Sequence, residues 1–247
     1  MNWFELLVLA WIIIPIILYP ILLKIKVPYG RHTSPNWGPM IDNHLGWFWM
    51  EVPALLTFPL LAIFGPQEKD LLSWILIGMW SFHYVNRVLV FPFRLKTKGK
   101  KMPLLIASSA VFFNLMNGFV NGYYIGFVNG TSGSILNIFV VTGLLMFFIG
   151  FTINTISDSK LIALRKKGNG YQIPKGWLFE YISCPNHFGE IIEWIGFTVA
   201  ARSLPALSFA VWTFCNLGPR ANNHHKWYNE YFIDYPKKRK IVLPYIW

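Results

Sequence analysis

Charged residues and cysteines are scarce in this chain, and each shortage argues against certain classes of protein. Only 13% of its 247 residues are charged, whereas a soluble domain carries about 25%. With 54% hydrophobic and 18% aromatic residues, the chain is not disordered, because disordered chains are poor in large apolar side chains. The two cysteines, Cys184 and Cys215, lack a pairing context and metal-ligand spacing, so we expect no disulfide framework.

The motifs of common nucleotide- and metal-binding domains are also missing from the sequence. There is no G-x-G-x-x-G after a strand and no G-x-x-x-x-G-K-[ST], so neither a Rossmann domain nor a P-loop is expected. There is no H-E-x-x-H, and His187, His224 and His225 do not have convincing metal-ligand spacing. We therefore expect no metal site.

Long apolar runs are what the chain does have, and its mean hydropathy is +0.41. Runs of membrane-spanning length cover about residues 5–25, 46–65, 71–93, 103–127, 134–157, 188–203 and 204–222. The first has no basic segment before it, so we expect a retained helix and not a signal peptide. The polar segment 129–133 separates the fourth run from the fifth. The pattern predicts an all-α integral membrane protein of about seven transmembrane helices, forming a single membrane domain over residues 1–247.

The basic residues indicate how this bundle is oriented. Of 22 Lys and Arg residues, 19 follow the first, third, fifth or seventh run, only Lys69 and Arg202 follow other runs, and Arg87 lies inside one. Because cytoplasmic loops carry the excess of basic residues, we expect the N-terminus outside and the C-terminus in the cytoplasm. This distribution accounts for the net charge of +11 without a nucleic-acid partner. The expected location is the bacterial inner membrane or the endoplasmic reticulum, depending on the source.

Three functional candidates lie inside predicted helices. Glu51 is near the start of the second run, and Tyr84 and Arg87 are in the third. An ionisable group inside a membrane bundle is a functional hypothesis by default, because its burial is costly. The alternatives are an interfacial carboxylate, a tyrosine that only packs, and a simple Glu51–Arg87 ion pair.

Polar residues also recur at a spacing of four near the cytoplasmic ends of the last three runs. They are Asn154 with Asp158, Asn186 with Glu190, and Arg220 with His224 and Tyr228. Residues at this spacing share one helix face. Hydrogen bonding between helices is one use of such a face, but the mixture of charged and polar groups favours a wet, charged cavity. Basic residues nearby, including Arg165 and Arg239, suit a ligand that carries phosphate.

The order of several motifs resembles that of a known family. They are P-Y-G-R-H (28–32), W-G-P (37–39), G-W-F-W-M-E-V-P (46–53), H-Y-V-N-R (83–87), N-G (117–118), N-T-I-S-D (154–158), Y-Q-I-P-K-G (171–176), L-F-E-Y-I-S-C-P-N-H-F-G-E-I-I-E-W (178–194), D-Y-P-K-K-R-K (234–240) and P-Y-I (244–246). The chain resembles the membrane steroid 5α-reductases (3-oxo-5α-steroid 4-dehydrogenases) from about residue 28 onward. Met50 stands where animal-type members have Gln, and plant-type members have Met there.

This resemblance implies NADPH-dependent reduction of the Δ4 double bond of a 3-oxo-Δ4 steroid. Hydride adds to the β carbon and negative charge develops on the 3-carbonyl oxygen, which needs hydrogen-bond donors in a dry site. Glu51 and Tyr84 are the expected donors, Glu51 if burial keeps it protonated, and Arg87 is expected to orient them. The steroid or steroid-like lipid would enter from the bilayer, and no protein partner is evident.

The resemblance also implies a cofactor side made of the cytoplasmic parts of helices five to seven and their loops, with helices one to four forming most of the substrate side. The cofactor residues it implies are Asn154, Asp158, Arg165, Tyr171, Asn186, Glu190, Arg220, His224, Tyr228 and Arg239. Asn186 and Glu190 would hold the nicotinamide carboxamide, and the basic residues would hold the phosphates.

Other functions are compatible with the pattern. One is a reductase of another enone or of a polyprenol lipid. Another is an isoprenylcysteine-type membrane methyltransferase, which would use S-adenosylmethionine and would not need Glu51 with Tyr84. A transporter or sterol-binding protein is the non-enzymatic alternative, but the sequence lacks the repeated halves that many transporters have.

Overall fold

The computed structural model describes residues 1–28, 30–95, 99–128, 137–166 and 170–247. Within them the chain is mostly helical and divides into two compact units. The first unit contains Met1–Lys26, Thr142–Val199 and Leu207–Trp247, and the second contains Val27–Val141 and Ala200–Ala206. The expected single membrane domain and its two sides stay predictions.

The helices follow the predicted apolar runs closely. They are α1 (Trp3–Lys24), α2 (Asn43–Phe64), α3 (Leu71–Val85), α4 (Phe91–Arg94), α5 (Leu104–Tyr123), α6 (Ile138–Lys166), α7 (Pro185–Ala201) and α8 (Leu204–Tyr231). Two strands, β1 (Met40–Asp42) and β2 (Lys101–Pro103), pair antiparallel. The strands were not expected from the sequence, because runs of three residues are too short to show a period of two.

Four helical segments among the described residues are long and apolar enough to cross a membrane. They are Trp3–Lys24, Asn43–Phe64, Leu104–Val128 and Ile138–Lys166. On α1 the buried side chains are Phe4, Val8, Trp11 and Pro15, which lie on one face because they are three or four residues apart. The exposed apolar side chains of α1 suit a lipid environment.

Helix geometry departs from the sequence expectation in two ways. The third predicted run consists of three successive elements, which are α3, the π-helical segment Asn86–Val90 and α4. It is therefore not one regular helix. Helices α6 and α8 continue past residues 157 and 222, where the apolar runs end, and therefore carry their polar stripes on regular helix. The predicted break at 129–133 and the loop residues Tyr29, Lys96, Lys98 and Lys167 lie outside the described residues.

Glycines bring α2 close to α5 and to the π-helical segment Tyr124–Val128 that follows it in the second unit. Gly118, Gly122 and Gly126 recur every four residues, and a β carbon on Gly122 would lie 2.7 Å from the carbonyl oxygen of Phe58. A β carbon on Gly126 would overlap the carbonyl oxygen of Leu61. Small residues at this spacing let helix backbones approach closely. The close approach sets the distance between Glu51 on α2 and the polar residues of α5.

A second glycine contact joins α6 and α7 in the first unit. A β carbon on Gly189 would lie 2.6 Å from the carbonyl oxygen of Gly150, and one on Gly196 would lie 2.7 Å from that of Gly143. Any larger residue would separate the two helices. Their contact brings Asn154 on α6 next to the first turns of α7.

The two chain ends pack within the first unit. The Asn223 side-chain amide donates to the carbonyl of Ile25 (3.1 Å), and the rings of Trp11 and Trp212 are 4.7 Å apart, so α1 packs on α8. At the other end, the Lys240 N–H donates to the carbonyl of Tyr181 (2.8 Å). This bond attaches the C-terminal segment to the loop that precedes α7.

Candidate active site

Glu51 and Arg87 form a buried ion pair in the second unit. Arg87 donates to Glu51 Oε1 through Nη2 (2.9 Å) and Nε (3.2 Å). The Arg87 and Glu51 side chains are only 12% and 10% exposed. The ion pair that the sequence left as an alternative therefore exists. Both of these bonds go to Oε1.

Aromatic rings hold the Arg87 guanidinium in place. Its Cζ lies 5.0 Å from the ring centre of Trp47 and 4.8 Å from that of Phe91, and cation–π contacts at such distances are attractive. Arg87 belongs to the π-helical segment Asn86–Val90, where the wider turn changes the direction in which side chains point. Such segments are frequent at functional sites.

Asn114 connects Glu51 to Tyr84. Its Nδ2 donates to the carbonyl of Met50 (2.6 Å) and to Glu51 Oε2 (3.3 Å). The Tyr84 hydroxyl donates to Asn114 Oδ1 (3.5 Å). The two expected catalytic side chains thus belong to one hydrogen-bonded network, joined through a third residue on α5.

Asn114 was not predicted from the sequence, although a signal for it exists. Asn114, Asn117 and Asn121 lie three and four residues apart in an otherwise apolar run, and all three are buried. This spacing places them on one face of α5. A polar face on a membrane helix points to the interior of the bundle, so the pattern could have identified Asn114.

Tyr84 lies at the end of a packed aromatic column. The rings of Phe58 and Trp80 stack at 4.3 Å, and those of Trp80 and Tyr84 are 5.1 Å apart. Trp80 Nε1 donates to the carbonyl of Ala54 (2.9 Å), which fixes the indole against α2. Tyr84 is 3% exposed, so its position is set by packing while its hydroxyl reaches Asn114.

The polar stripes of α6 and α7 meet in the first unit. Asn154 Nδ2 donates to the carbonyl of Asn186 (3.1 Å) and to Glu190 Oε2 (3.3 Å). Asn186 Nδ2 donates in turn to Asp158 Oδ1 (3.1 Å). The four residues that the spacing of four selected on α6 and α7 therefore form one cluster, which we call the amide–carboxylate cluster.

The predicted stripe on α8 is in the same unit. The imidazole rings of His187 and His224 are 5.7 Å apart, so α7 and α8 approach each other at His224. Tyr228 is buried and stacks on Tyr235 at 5.2 Å. Arg220 and His224 are half-buried, and their expected role toward a cofactor stays a prediction.

Basic side chains and Tyr171 line a cavity of about 640 Å³ in the first unit. It is bounded by Lys160, Ala163, Leu164, Tyr171, Gln172, Ile173, Pro174, Lys175, Phe232 and Asp234. The Tyr171 ring packs edge-on against Trp227 at 4.9 Å. Arg165, in the last turn of α6, is exposed and is not among the residues that line the cavity.

Arg239 is in a different setting from the other basic candidates. Its side chain is buried, its Nη1 donates to the carbonyl of Pro174 (2.9 Å), and its Nη2 lies 3.6 Å from Glu180. Its Nε has no hydrogen-bond partner among the described residues. These contacts give Arg239 a structural role, whereas its expected role toward a phosphate stays a prediction.

A neutral cluster around Ser183 supports this region. The Ser183 hydroxyl lies 2.6 Å from His225 Nδ1 and 2.7 Å from the Tyr235 hydroxyl. Burial raises the pKa of Tyr235, and burial, with a smaller effect of Lys237, lowers the pKa of His225. Both shifts favour the uncharged forms near neutral pH, so the hydrogen bonds of Ser183 join uncharged side chains.

Comparisons with known proteins identify the family of the chain. The family model of 3-oxo-5-alpha-steroid 4-dehydrogenase matches residues 100–247. The chain belongs to this family. It is 40% identical to the cotton (Gossypium hirsutum) steroid 5-alpha-reductase DET2 over 90% of this chain and 89% of that protein. It is 41% identical to the bovine (Bos taurus) 3-oxo-5-alpha-steroid 4-dehydrogenase 1 over 94% of this chain and 92% of that protein.

Membership makes the protein an oxidoreductase that acts on CH–CH groups. The human (Homo sapiens) 3-oxo-5-alpha-steroid 4-dehydrogenase 1 is 36% identical over 88% of this chain and 85% of that protein. The plant and mammalian 5-alpha-reductases thus resemble this chain over nearly their whole length. The family resemblance expected from the motifs is confirmed.

The buried ion pair predicts how substitutions affect stability. Arg87→Met leaves the Glu51 carboxylate without its cation, and removing one partner of a buried pair costs about 3–5 kcal/mol. Adding Glu51→Gln removes that charge, so the double variant should regain part of the lost stability. Thermal unfolding of purified protein in detergent measures both effects.

Lys26→Met is the matched control, because the Lys26–Glu230 pair is exposed and exposed pairs contribute little. A loss for Lys26→Met as large as that for Arg87→Met would contradict the importance of burial. A double variant that is less stable than Arg87→Met alone would contradict it as well.

Proposed function

We propose that the protein reduces the Δ4 double bond of 3-oxo-Δ4 steroids to 5α-steroids, with Glu51 and Tyr84 polarising the 3-carbonyl. The observation that carries this proposal is the buried network that joins Glu51 to Tyr84 through Asn114. Family membership supports the reaction class, and the names of the relatives support the steroid substrate.

The chemistry of an enone explains why these two residues are needed. Hydride transfer to the β carbon moves negative charge onto the carbonyl oxygen, and donors placed at that oxygen stabilise the transition state. A proton from water then adds to the α carbon and completes the reduction. The Tyr84 hydroxyl is one donor. Glu51 is the other when a proton on Oε2 converts the ion pair into hydrogen bonds from Arg87 to Oε1 of the neutral acid. Ketosteroid isomerase stabilises a steroid oxyanion with the same pair of groups, a tyrosine and a neutral carboxylic acid.

Arg87 has a positioning role in this proposal. It fixes Oε1 of Glu51 and is itself held by contact with the rings of Trp47 and Phe91. The carboxyl plane is therefore set before a steroid binds, and Oε2 keeps a constant direction. Donors that need no reorganisation during the reaction are the ones that accelerate it most.

The first unit has groups that fit NADPH. Amide and carboxylate side chains in the amide–carboxylate cluster can exchange hydrogen bonds with a carboxamide, and Asn186 and Glu190 are both half-buried. Arg220 on α8 and Lys160 and Lys175 at the cavity suit phosphate groups. When bound, a reduced nicotinamide supplies the hydride, while the residues named here bind and orient it.

We also propose seven transmembrane helices, with the N-terminus outside and the C-terminus in the cytoplasm. The distribution of Lys and Arg between successive loops supports this orientation. It makes the protein a multi-pass integral membrane enzyme whose cofactor residues are on the cytoplasmic side. That side is where a soluble dinucleotide is available.

Cysteine labelling in intact cells tests the orientation. A membrane-impermeant thiol reagent should label Glu68→Cys and should not label Lys175→Cys, and both positions are exposed. The native Cys184 and Cys215 are buried, so the background is low. Permeabilised cells should allow labelling at both sites, and labelling of Lys175→Cys in intact cells would overturn the orientation.

Turnover of a 3-oxo-Δ4 steroid tests the catalytic pair. Tyr84→Phe removes one hydroxyl and should lower kcat about 10²–10³-fold, the usual loss of an oxyanion donor, while cofactor binding stays intact. Glu51→Gln keeps a donor, so it should retain more activity than Glu51→Ala. A polyprenol and a non-steroid enone serve as competing substrates in the same assay.

Near-normal kcat in both Tyr84→Phe and Glu51→Ala would refute the assigned pair. A preference of the unaltered protein for the polyprenol or the non-steroid enone would refute the steroid substrate. Both measurements need parallel checks of cofactor affinity, which separate a catalytic loss from a folding loss.

Cofactor titration tests the proposed role of Arg220. Arg220→Ala should weaken NADPH binding about 10–100-fold, because a hydrogen bond to a charged group is worth about 1.5–3 kcal/mol. Lys226→Ala is the control, since Lys226 is exposed on the same helix. Steroid affinity should stay unchanged in both variants, and an equal loss of both ligands in Arg220→Ala would show that Arg220 only maintains the fold.

A further inference from the structure

We infer that Asn114 is a positioning residue that sets the direction of the hydrogen bonds between Glu51 and Tyr84. This inference rests on the proposed function, because it assigns Asn114 to the same reaction. The juxtaposition that carries it is a single buried amide in contact with Met50, Glu51 and Tyr84 at once.

The backbone of α2 determines which way the Asn114 amide faces. The carbonyl of Met50 lies 2.6 Å from Nδ2, and a carbonyl oxygen can only accept a hydrogen bond. The amide nitrogen must therefore face α2, since the opposite orientation would bring two oxygen acceptors together. Oδ1 is consequently turned toward Tyr84.

This fixed orientation of the Asn114 amide sets the directions of the hydrogen bonds at Glu51 and Tyr84. The second N–H of Nδ2 donates to Glu51 Oε2 at 3.3 Å, so Oε2 has a defined direction in addition to the one that Arg87 gives Oε1. Oδ1 accepts from the Tyr84 hydroxyl, so the phenolic proton is directed into the same network. One side chain thus aligns both groups that are proposed to reach the substrate carbonyl.

The distances favour transfer of the Tyr84 hydrogen bond from Asn114 to a substrate. The Tyr84–Asn114 separation of 3.5 Å is long for an O–H···O bond, whose usual range is about 2.5–3.0 Å. A weak bond is exchanged at little cost, so the Tyr84 hydroxyl can turn to a steroid carbonyl. The short Met50 bond, in contrast, keeps Asn114 in place when that exchange occurs.

A purely structural role would give a different kinetic result. If Asn114 only joined α5 to α2, its replacement would reduce activity by the same factor whether or not Tyr84 has a hydroxyl. A positioning residue acts through its partners, so its effect should shrink when a partner is removed. Double-mutant cycles measure this difference directly.

The test compares kcat for Asn114→Leu, Tyr84→Phe and the double variant, with a 3-oxo-Δ4 steroid and saturating NADPH. Asn114→Leu should lower kcat about tenfold, the effect of about one lost hydrogen bond, with little change in the KM for NADPH. In the Tyr84→Phe background the same substitution should lower kcat by less than about threefold. Asn121→Leu is the control, because Asn121 is buried on α5 and donates to the carbonyl of Asn117, and its kcat should stay within about twofold.

The outcomes separate this inference from the proposed function. Asn114→Leu could lower kcat by the same factor in both backgrounds while Tyr84→Phe itself is strongly impaired. That result would overturn the role of Asn114 and leave the proposed function standing. A near-normal kcat in Tyr84→Phe would overturn both the role of Asn114 and the proposed function. If Asn114→Leu does not fold, Asn114→Ser fits the same space without added bulk and enters the same cycle, where equal factors would again overturn the inference.

Discussion

A carboxylate and a guanidinium buried between membrane helices place the strongest demand on this fold. Removing Glu51 and Arg87 from water is costly, and their attraction repays that cost only with good geometry and further hydrogen bonds. The second unit supplies both, since the rings of Trp47 and Phe91 contact the guanidinium and Asn114 donates to the second carboxylate oxygen. A bundle selected for stability alone would use apolar residues at these positions.

The glycine contacts follow from the same demand. A hydrogen bond from α5 to the carbonyl of Met50 requires the backbones of α2 and α5 to be very close, and Gly122 allows this against Phe58. In the first unit, Gly150 and Gly189 have the same effect for Asn154. In both units a polar contact lies beside a small-residue contact, because without water in the bilayer the helices associate through close packing and interhelical hydrogen bonds.

Much of this arrangement could be predicted from single residues and their spacing. Glu51 and Arg87 are conspicuous because charges are rare in apolar runs, and the pairs Asn154–Asp158 and Asn186–Glu190 are conspicuous because a spacing of four places them on one face. Asn114 was harder, because an asparagine in a membrane helix usually only bonds a neighbouring helix. The π-helical segment at Arg87 depends on packing across distant parts of the chain, and local sequence does not show it.

The two polar networks differ in a way that agrees with their proposed tasks. Around Glu51 one carboxylate has a cation at 2.9 Å, which holds the group rigidly. Around Asn154 two carboxylates, Asp158 and Glu190, each accept from an asparagine amide. A carboxylate that accepts from a side-chain amide can exchange that hydrogen bond for one from the carboxamide of a ligand. Rigidity suits stabilisation of a developing charge, and exchangeable hydrogen bonds suit the binding and release of a cofactor in each turnover.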